Sequence, residues 1–288
     1  MAAEARPTVM DGGAVPPGAA PGSNDVHADG TAPRRRGARL PSEAVKSARR
    51  TVELLEVLAD ARDRLTLAEL QRRLDVPKSS LYGLLQTLVA CGWVEADARG
   101  GYGIGLRALR VGAAYLDRDP MVRAGAPLLA GLHRLLDETI HLALLDGFDV
   151  VYLASRESQH HLRVLSRIGR RLPAHTTALG KVLLAARSKA EVDALLPVSL
   201  VALTADTVTD REVLHAELTE IRQRGWAYES GQNTPGLGCF AVAIPSTHPA
   251  VYAVSCSVPL TRLTDNLRSA VIEALTECAD ALRYAARP

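Results

Sequence analysis

At 288 residues the chain has room for two domains and a tail, and 47% hydrophobic content supports buried cores, which excludes a wholly disordered protein. A formal net charge of +2, from 34 basic and 32 acidic residues, excludes a global basic field, so any affinity for nucleic acid must be local. Cys91, Cys239, Cys256 and Cys278 lie far apart without C-x-x-C spacing, which argues against a disulfide framework or cysteine zinc site and fits a reducing compartment.

No apolar run is long and unbroken enough to span a bilayer, and the first residues lack the apolar segment of a secretory signal. A cytoplasmic protein with no membrane partner is expected. Residues 1–41 are rich in Ala, Gly and Pro and cannot bury enough surface to offset their ordering entropy, so a disordered tail is predicted. Arg34, Arg35, Arg36 and Arg39 close that tail. They read as a solvated charge run, the alternative being an arm that touches phosphates or the minor groove.

A DNA-reading domain is expected over 42–105. Ser47 to Leu58 suits a first helix with Val52, Leu55 and Leu58 inward. Thr66 followed by Glu69 is a capping-box start, and Leu67, Leu70 and Leu74 then recur at helical spacing. Asp75-Val76-Pro77 breaks that helix, because proline cannot continue one but suits the first turn of the next. In the next helix Leu81, Leu84, Leu85 and Leu88 form the apolar stripe, leaving Ser79, Tyr82, Gly83 and Gln86 on the other face. Such a capped pair could be a merely solvated helical hairpin. The next dozen residues favour DNA: Trp93 to Glu95, a turn over 96–101, and Tyr102 to Ile104 read as the strand pair of a wing, with Arg99 at its tip. Lys78, Ser79, Ser80, Tyr82, Gln86 and Arg99 are therefore the candidate contacts to double-stranded operator DNA.

A linker helix is expected over 106–120, built on Leu106, Leu109, Val111 and Leu116, then a helix from Met121 to Glu138 with Leu128, Leu132, Leu135 and Leu136 inward. One winged domain of nearly balanced charge offers few phosphate contacts, so specificity should need two half-sites on a dimer. The 106–118 helix is expected to supply much of that interface.

The remainder of 121–288 alternates strands and helices. His141 to Leu145 and Val150 to Ala154 read as a hairpin around Asp146-Gly147, and His161 to Ser166 as a third strand. Helices are predicted over 177–186, after Ser188 to Leu195, over 210–224 with Gly225 as its left-handed cap, and over 262–286. Strands are predicted over 226–230, 239–244 and 251–258. The class is α+β, one sheet with helices packed on it.

These residues resemble the IclR family of bacterial transcription regulators. The resemblance runs from about Ser47 to the C-terminus. It rests on Leu65 to Leu70, Val76-Pro-Lys-Ser-Ser80, Leu85 to Leu88 and Gly92-Trp-Val-Glu95, then on His141 to Gly147, Val151-Tyr-Leu153, Gly169 to Lys181 and Gly236 to Pro245. It implies an N-terminal winged helix-turn-helix domain and a C-terminal effector domain similar to a GAF or profilin sheet. It further implies homodimers, often paired into tetramers, that repress or activate genes in response to a small-molecule effector, repression being the commoner mode. The family usually has a basic residue where Gly83 stands, so sequence preference there is open.

By the same resemblance the effector pocket falls on Ala178, Leu179, Gly180, Glu229, Cys239, Ser255 and Ser257. The chemistry is coherent, since a helix start offers N–H groups and positive dipole to an anion, and two strand serines offer hydroxyls to a carboxylate. A small, carboxylated metabolite is expected, with no cofactor. The alternative is a buried sheet in which small Cys and Ser side chains simply pack. Other readings are a redox sensor through Cys239 and Cys256, and a cysteine-dependent enzyme with Cys239 as nucleophile and His175 as base. No catalytic residue and no metal site is expected. His160 and His161 would point to opposite faces of a strand, and nothing at ligand spacing joins them or His175.

Overall fold

The structure, a computed structural model, describes residues 45–161, 168–245 and 247–285. The tail expected over 1–41 and most of the strand expected over 161–166 lie outside the described residues.

The chain opens with α1 (Lys46–Asp60), β1 (Leu65–Thr66), α2 (Leu67–Leu74), α3 (Lys78–Ala90), β2 (Val94–Ala96) and β3 (Gly101–Ile104). The strands form an antiparallel sheet in the order β1-β3-β2. Leu54, Leu58, Leu70, Leu74, Val76, Leu81, Leu85, Leu88, Val94 and Tyr102 make its core. The capping box forms: Thr66 Oγ1 accepts from the Glu69 N–H, and a Glu69 carboxylate oxygen accepts from the Thr66 N–H at 2.8 Å. The inward face of α1 differs from expectation. Leu54 and Leu58 are buried and Leu55 is half-buried, while Val52 is 55% exposed. Val52 sits about 200° around the helix from Leu54, so both cannot face the same neighbour.

Next come α4 (Leu106–Arg118), which buries none of its residues, and α5 (Pro120–Leu136). Asp119 starts α5, its Oδ1 accepting from Met121 N and Val122 N at 2.9 and 3.1 Å. The buried stripe of α5 is Met121, Gly125, Leu129 and Leu132. Leu129 replaces the expected Leu135, which is 71% exposed, because a stripe that begins at Met121 advances by four, four and three residues.

Beyond α5 a six-stranded antiparallel sheet is assembled from β4 (Thr139–Asp146), β5 (Asp149–Arg156), β6 (Arg171–Pro173), β7 (Trp226–Ser230), β8 (Leu237–Ile244) and β9 (Tyr252–Pro259) in the order β6-β5-β4-β9-β8-β7. Between β6 and β7 lie a 3-10 turn (Ala174–Thr176), α6 (Ala178–Ala185), α7 (Lys189–Leu195) and α8 (Arg211–Arg224). Helix α9 (Asp265–Ala285) follows β9. It starts three residues later than expected because Arg262 stays in the turn, paired to the buried Glu138 carboxylate at 2.6 and 2.8 Å. The strand β6 falls where no element is expected; three residues pairing with Asp149 to Val151 carry too little pattern to announce themselves.

Helices α5 and α9 pack against one another and cover one face of this sheet. On the other face lie α6 and α8, with α6 directly over β7, β8 and β9. Helix α6 is apolar nearly all round and wholly buried. Its position depends on Gly180, where a Cβ would stand 2.1 Å from the Ala174 carbonyl oxygen. At the end of α8, Gly225 takes φ +83°, the left-handed cap expected of it.

Candidate functional sites

On the reader, Lys78, Ser79, Ser80, Tyr82 and Gln86 are all exposed along one face of α3, while Leu81, Leu85 and Leu88 hold the opposite face in the core. Tyr82 leaves half its surface in solvent. Gly83 lies between them with nothing within 4 Å of where its Cβ would be, so the surface there is open. Arg99 is presented on the β2–β3 turn, which Asp97 shapes by accepting from Arg99 N and Gly101 N at 2.8 and 2.9 Å. Arg64 is not available in the same way. Its guanidinium bonds the Glu95 carboxylate and main-chain carbonyl at 3.0 and 3.1 Å, bracing the hairpin.

The C-terminal sheet carries a different kind of surface. Paired residues share a face in an antiparallel ladder, so the register reveals two polar rows beneath α6. One row runs Ser155, His141, Ser255, Ala241 across four strands; the next runs Thr139, Ser257, Cys239, Glu229. Ser255 and Ser257 thus do point the same way, as expected. Cys239 Sγ and Ser257 Oγ lie 3.3 Å apart, and a Glu229 carboxylate oxygen accepts from Gln232 N at 2.9 Å. Above them Thr177 Oγ1 takes the Gly180 N–H at 2.9 Å. Of the three helix-start residues, Ala178 and Leu179 therefore keep N–H groups without an intrahelical acceptor.

Several residues of this site escape a reading of the sequence. Ser155 Oγ lies 3.2 Å from His141 Nδ1, and the Tyr152 ring meets the His141 ring edge-on with centroids 5.1 Å apart. Tyr152 N donates to Arg170 O at 3.0 Å, so Arg170 continues β6 by one pairing and faces the same side as Tyr152. Only the alternation of His141, Ala143 and Leu145 hints that His141 looks toward the helix-covered face. Lys181 is more surprising, being completely buried within α6. Its ammonium is held by the Glu217 carboxylate of α8 and by Gln232 Oε1, the latter at 2.6 Å.

Burial sets the protonation of these groups. It pushes His141 down to about 3, aided by the nearby Arg170 charge, so the imidazole is neutral. It raises Glu229, raises the Tyr152 phenol, and lifts the Cys239 thiol well above its ordinary range, with Glu229 adding to that last effect. A raised thiol pKa opposes thiolate chemistry. Cys239 pairs with Ser257 whereas Cys256 pairs with Phe240, so Cys256 faces the α5–α9 side, opposite Cys239. His175 Nε2 donates to the Val201 carbonyl at 2.9 Å, whereas Cys239 has Ser257 and Glu229 as partners, so no nucleophile–base pair forms between them. His160 lies 3.5 Å from the Asp137 carboxylate, and no group of three metal-ligating side chains occurs among the described residues. No helix among them is long and apolar enough to cross a membrane.

A winged helix-turn-helix reader joined through a helix to an α+β domain with a polar patch under a helix start defines a DNA-binding, ligand-sensing type of protein. The family model for the IclR helix-turn-helix domain matches residues 47–98, and that for the C-terminal region of bacterial IclR transcriptional regulators matches residues 113–284. The chain belongs to the IclR family of DNA-binding transcriptional regulators. It is 34% identical to the regulator KdgR of Escherichia coli over 85% of this chain and 91% of that one. It is 30% identical to the transcriptional repressor AllR of Klebsiella pneumoniae over 80% and 86%. The crystal structure of an IclR homolog from Microbacterium hydrocarbonoxydans, complexed with 4-hydroxybenzoate, shares the fold at a TM-score of 0.70, with 24% identity, 84% of this chain and 99% of that one covered.

Proposed function

We propose that residues 42–105 read operator DNA, residues 106–120 link, and residues 121–288 bind a small carboxylated metabolite whose occupancy shifts operator affinity. The observation that carries the reading is the pair of polar rows, buried on an otherwise apolar sheet face beneath the start of α6. In this reading Ala178 and Leu179 offer N–H groups to the carboxylate, Gly180 allows the close turn behind them, and Ser255 and Ser257 offer hydroxyls. Cys239 and Glu229 close the far side.

Lys78, Ser79, Ser80, Tyr82, Gln86 and Arg99 are proposed to contact DNA, with Lys78 at the helix start on phosphate. Assembly as a homodimer, or as a tetramer made of two dimers, is supported by α4. Leu106, Leu109, Val111 and Tyr115 are each more than half exposed, a cost that a second copy would relieve. Repression is the favoured sign, in line with the repressor among the relatives. The test is operator footprinting with purified protein while a panel of carboxylates, 4-hydroxybenzoate included, is screened by thermal shift on wild type and on Ser255→Leu. An acid that stabilises both proteins equally places the ligand elsewhere. One that binds wild type alone and leaves footprinting unchanged keeps the pocket and discards the switch.

A further inference from the structure

One wall of the pocket carries a hydroxyl beyond those assigned to the carboxylate. Tyr152, half-buried, makes no side-chain hydrogen bond among the described residues. Tyr152 is held by geometry: its backbone is paired to Ala143 on one side and Arg170 on the other, and its ring is braced on His141, which Ser155 orients. Its side chain packs against the apolar cluster on the α6 side of the sheet, the side that Cys239 and its partner Glu229 also face. A second group, the Arg170 guanidinium, makes no hydrogen bond or ion pair among the described residues and faces the same side.

We infer that Tyr152 is a specificity-determining residue that selects hydroxylated carboxylic acids over their deoxygenated counterparts. The inference rests on the carboxylate reading proposed above and narrows it. A phenol can donate or accept, and it suits an alcohol on the ligand. An apolar ligand body would dehydrate that hydroxyl and leave it unpaired, which is the situation that discriminates most strongly against an analogue lacking its polar group. The buried His141 stays neutral, so it adds no second cation, and Glu229 with its raised pKa can serve as a further hydrogen-bonding wall.

The full chain is titrated by calorimetry and thermal shift with matched pairs: glycerate and propionate, gluconate and hexanoate, 4-hydroxybenzoate and benzoate. At least one hydroxylated member should bind about tenfold or more tightly than its partner, and Tyr152→Phe should weaken that member about tenfold while moving the deoxygenated one by no more than about twofold. The phenylalanine keeps the ring against His141, and Ser255→Ala, which removes a proposed carboxylate contact, should instead weaken both members of a pair alike. Equal binding within every pair, or equal weakening of both members by Tyr152→Phe, overturns the inference while leaving the carboxylate reading in place. If no acid of any pair binds, both fall together.

Discussion

In the reader, the side chains proposed to meet a ligand stand outside an apolar core: Lys78, Ser79, Ser80, Tyr82 and Gln86 are exposed and the leucines between them are not. In the C-terminal sheet the arrangement is inverted. His141, Ser255, Ser257 and Glu229 on the sheet and Lys181 on α6 above it are buried, and the proposed recognition surface is part of the interior. DNA is large and flat-sided, so a surface helix can read it; a metabolite must be enclosed to be held. The contrast teaches that one substitution carries different costs in the two regions, so matched substitutions should diverge.

The sharpest comparison is between two glycines. Gly180→Ala places a methyl 2.1 Å from a main-chain oxygen, and the domain should lose about 3 kcal/mol or more, read by urea denaturation. Gly83→Ala meets nothing and should stabilise α3 by about 1 kcal/mol. Equal effects would mean that α6 is free to move off the 3-10 turn.

Cations come second. Lys181→Met removes a buried ammonium from Glu217 and Gln232 and should cost about 2 kcal/mol, less than for a fully enclosed pair because Glu217 reaches solvent. Arg64→Met breaks an exposed pair with Glu95 and should change stability by about 0.5 kcal/mol or less in the same denaturation assay. Lys78→Ala should leave stability unchanged, weaken operator binding about fivefold for all sequences alike, and lower the salt slope by about 1 in fluorescence anisotropy.

The smallest expected effect is a divergence with pH. Burial raises Glu229 above its ordinary 4.5, so its unfolded form ionises first, and its contribution to stability, complete at low pH, declines as pH rises through the raised value. Glu229→Gln should therefore gain on wild type as pH increases from 4.5 upward. In the reader the capping-box hydrogen bonds lower Glu69, so its contribution is present above 4.5 and disappears as pH falls through the lowered value. Wild type should lose its advantage over Glu69→Gln on acidification. Melting both pairs across a pH series checks the two signs, and parallel slopes would contradict the burial contrast.

Much of the fold comes from local rules that the chain states openly. Thr66 and Glu69 form a capping box wherever the backbone bends that way, Ser188 and Glu191 do the same, Pro77 ends one helix and begins another, and Gly225 closes α8. Hydrophobic spacing locates the helices and most strands within a few residues, and it separates the exposed face of α3 from its buried one, since both lie on a single element with a period of 3.6. Spacing does not decide which of several apolar residues faces a neighbour that is distant in sequence, and so Val52 and Leu135 turn outward. The proposed effector patch belongs to that second kind. His141, Ser255, Ser257 and Cys239 come together only because β4 pairs with β9 and β9 with β8, and Lys181 finds Glu217 only because α6 crosses α8. No local pattern records those pairings: the free energy that joins them is long-range burial of the sheet's two faces, which acts on the whole assembly and leaves no period in the sequence.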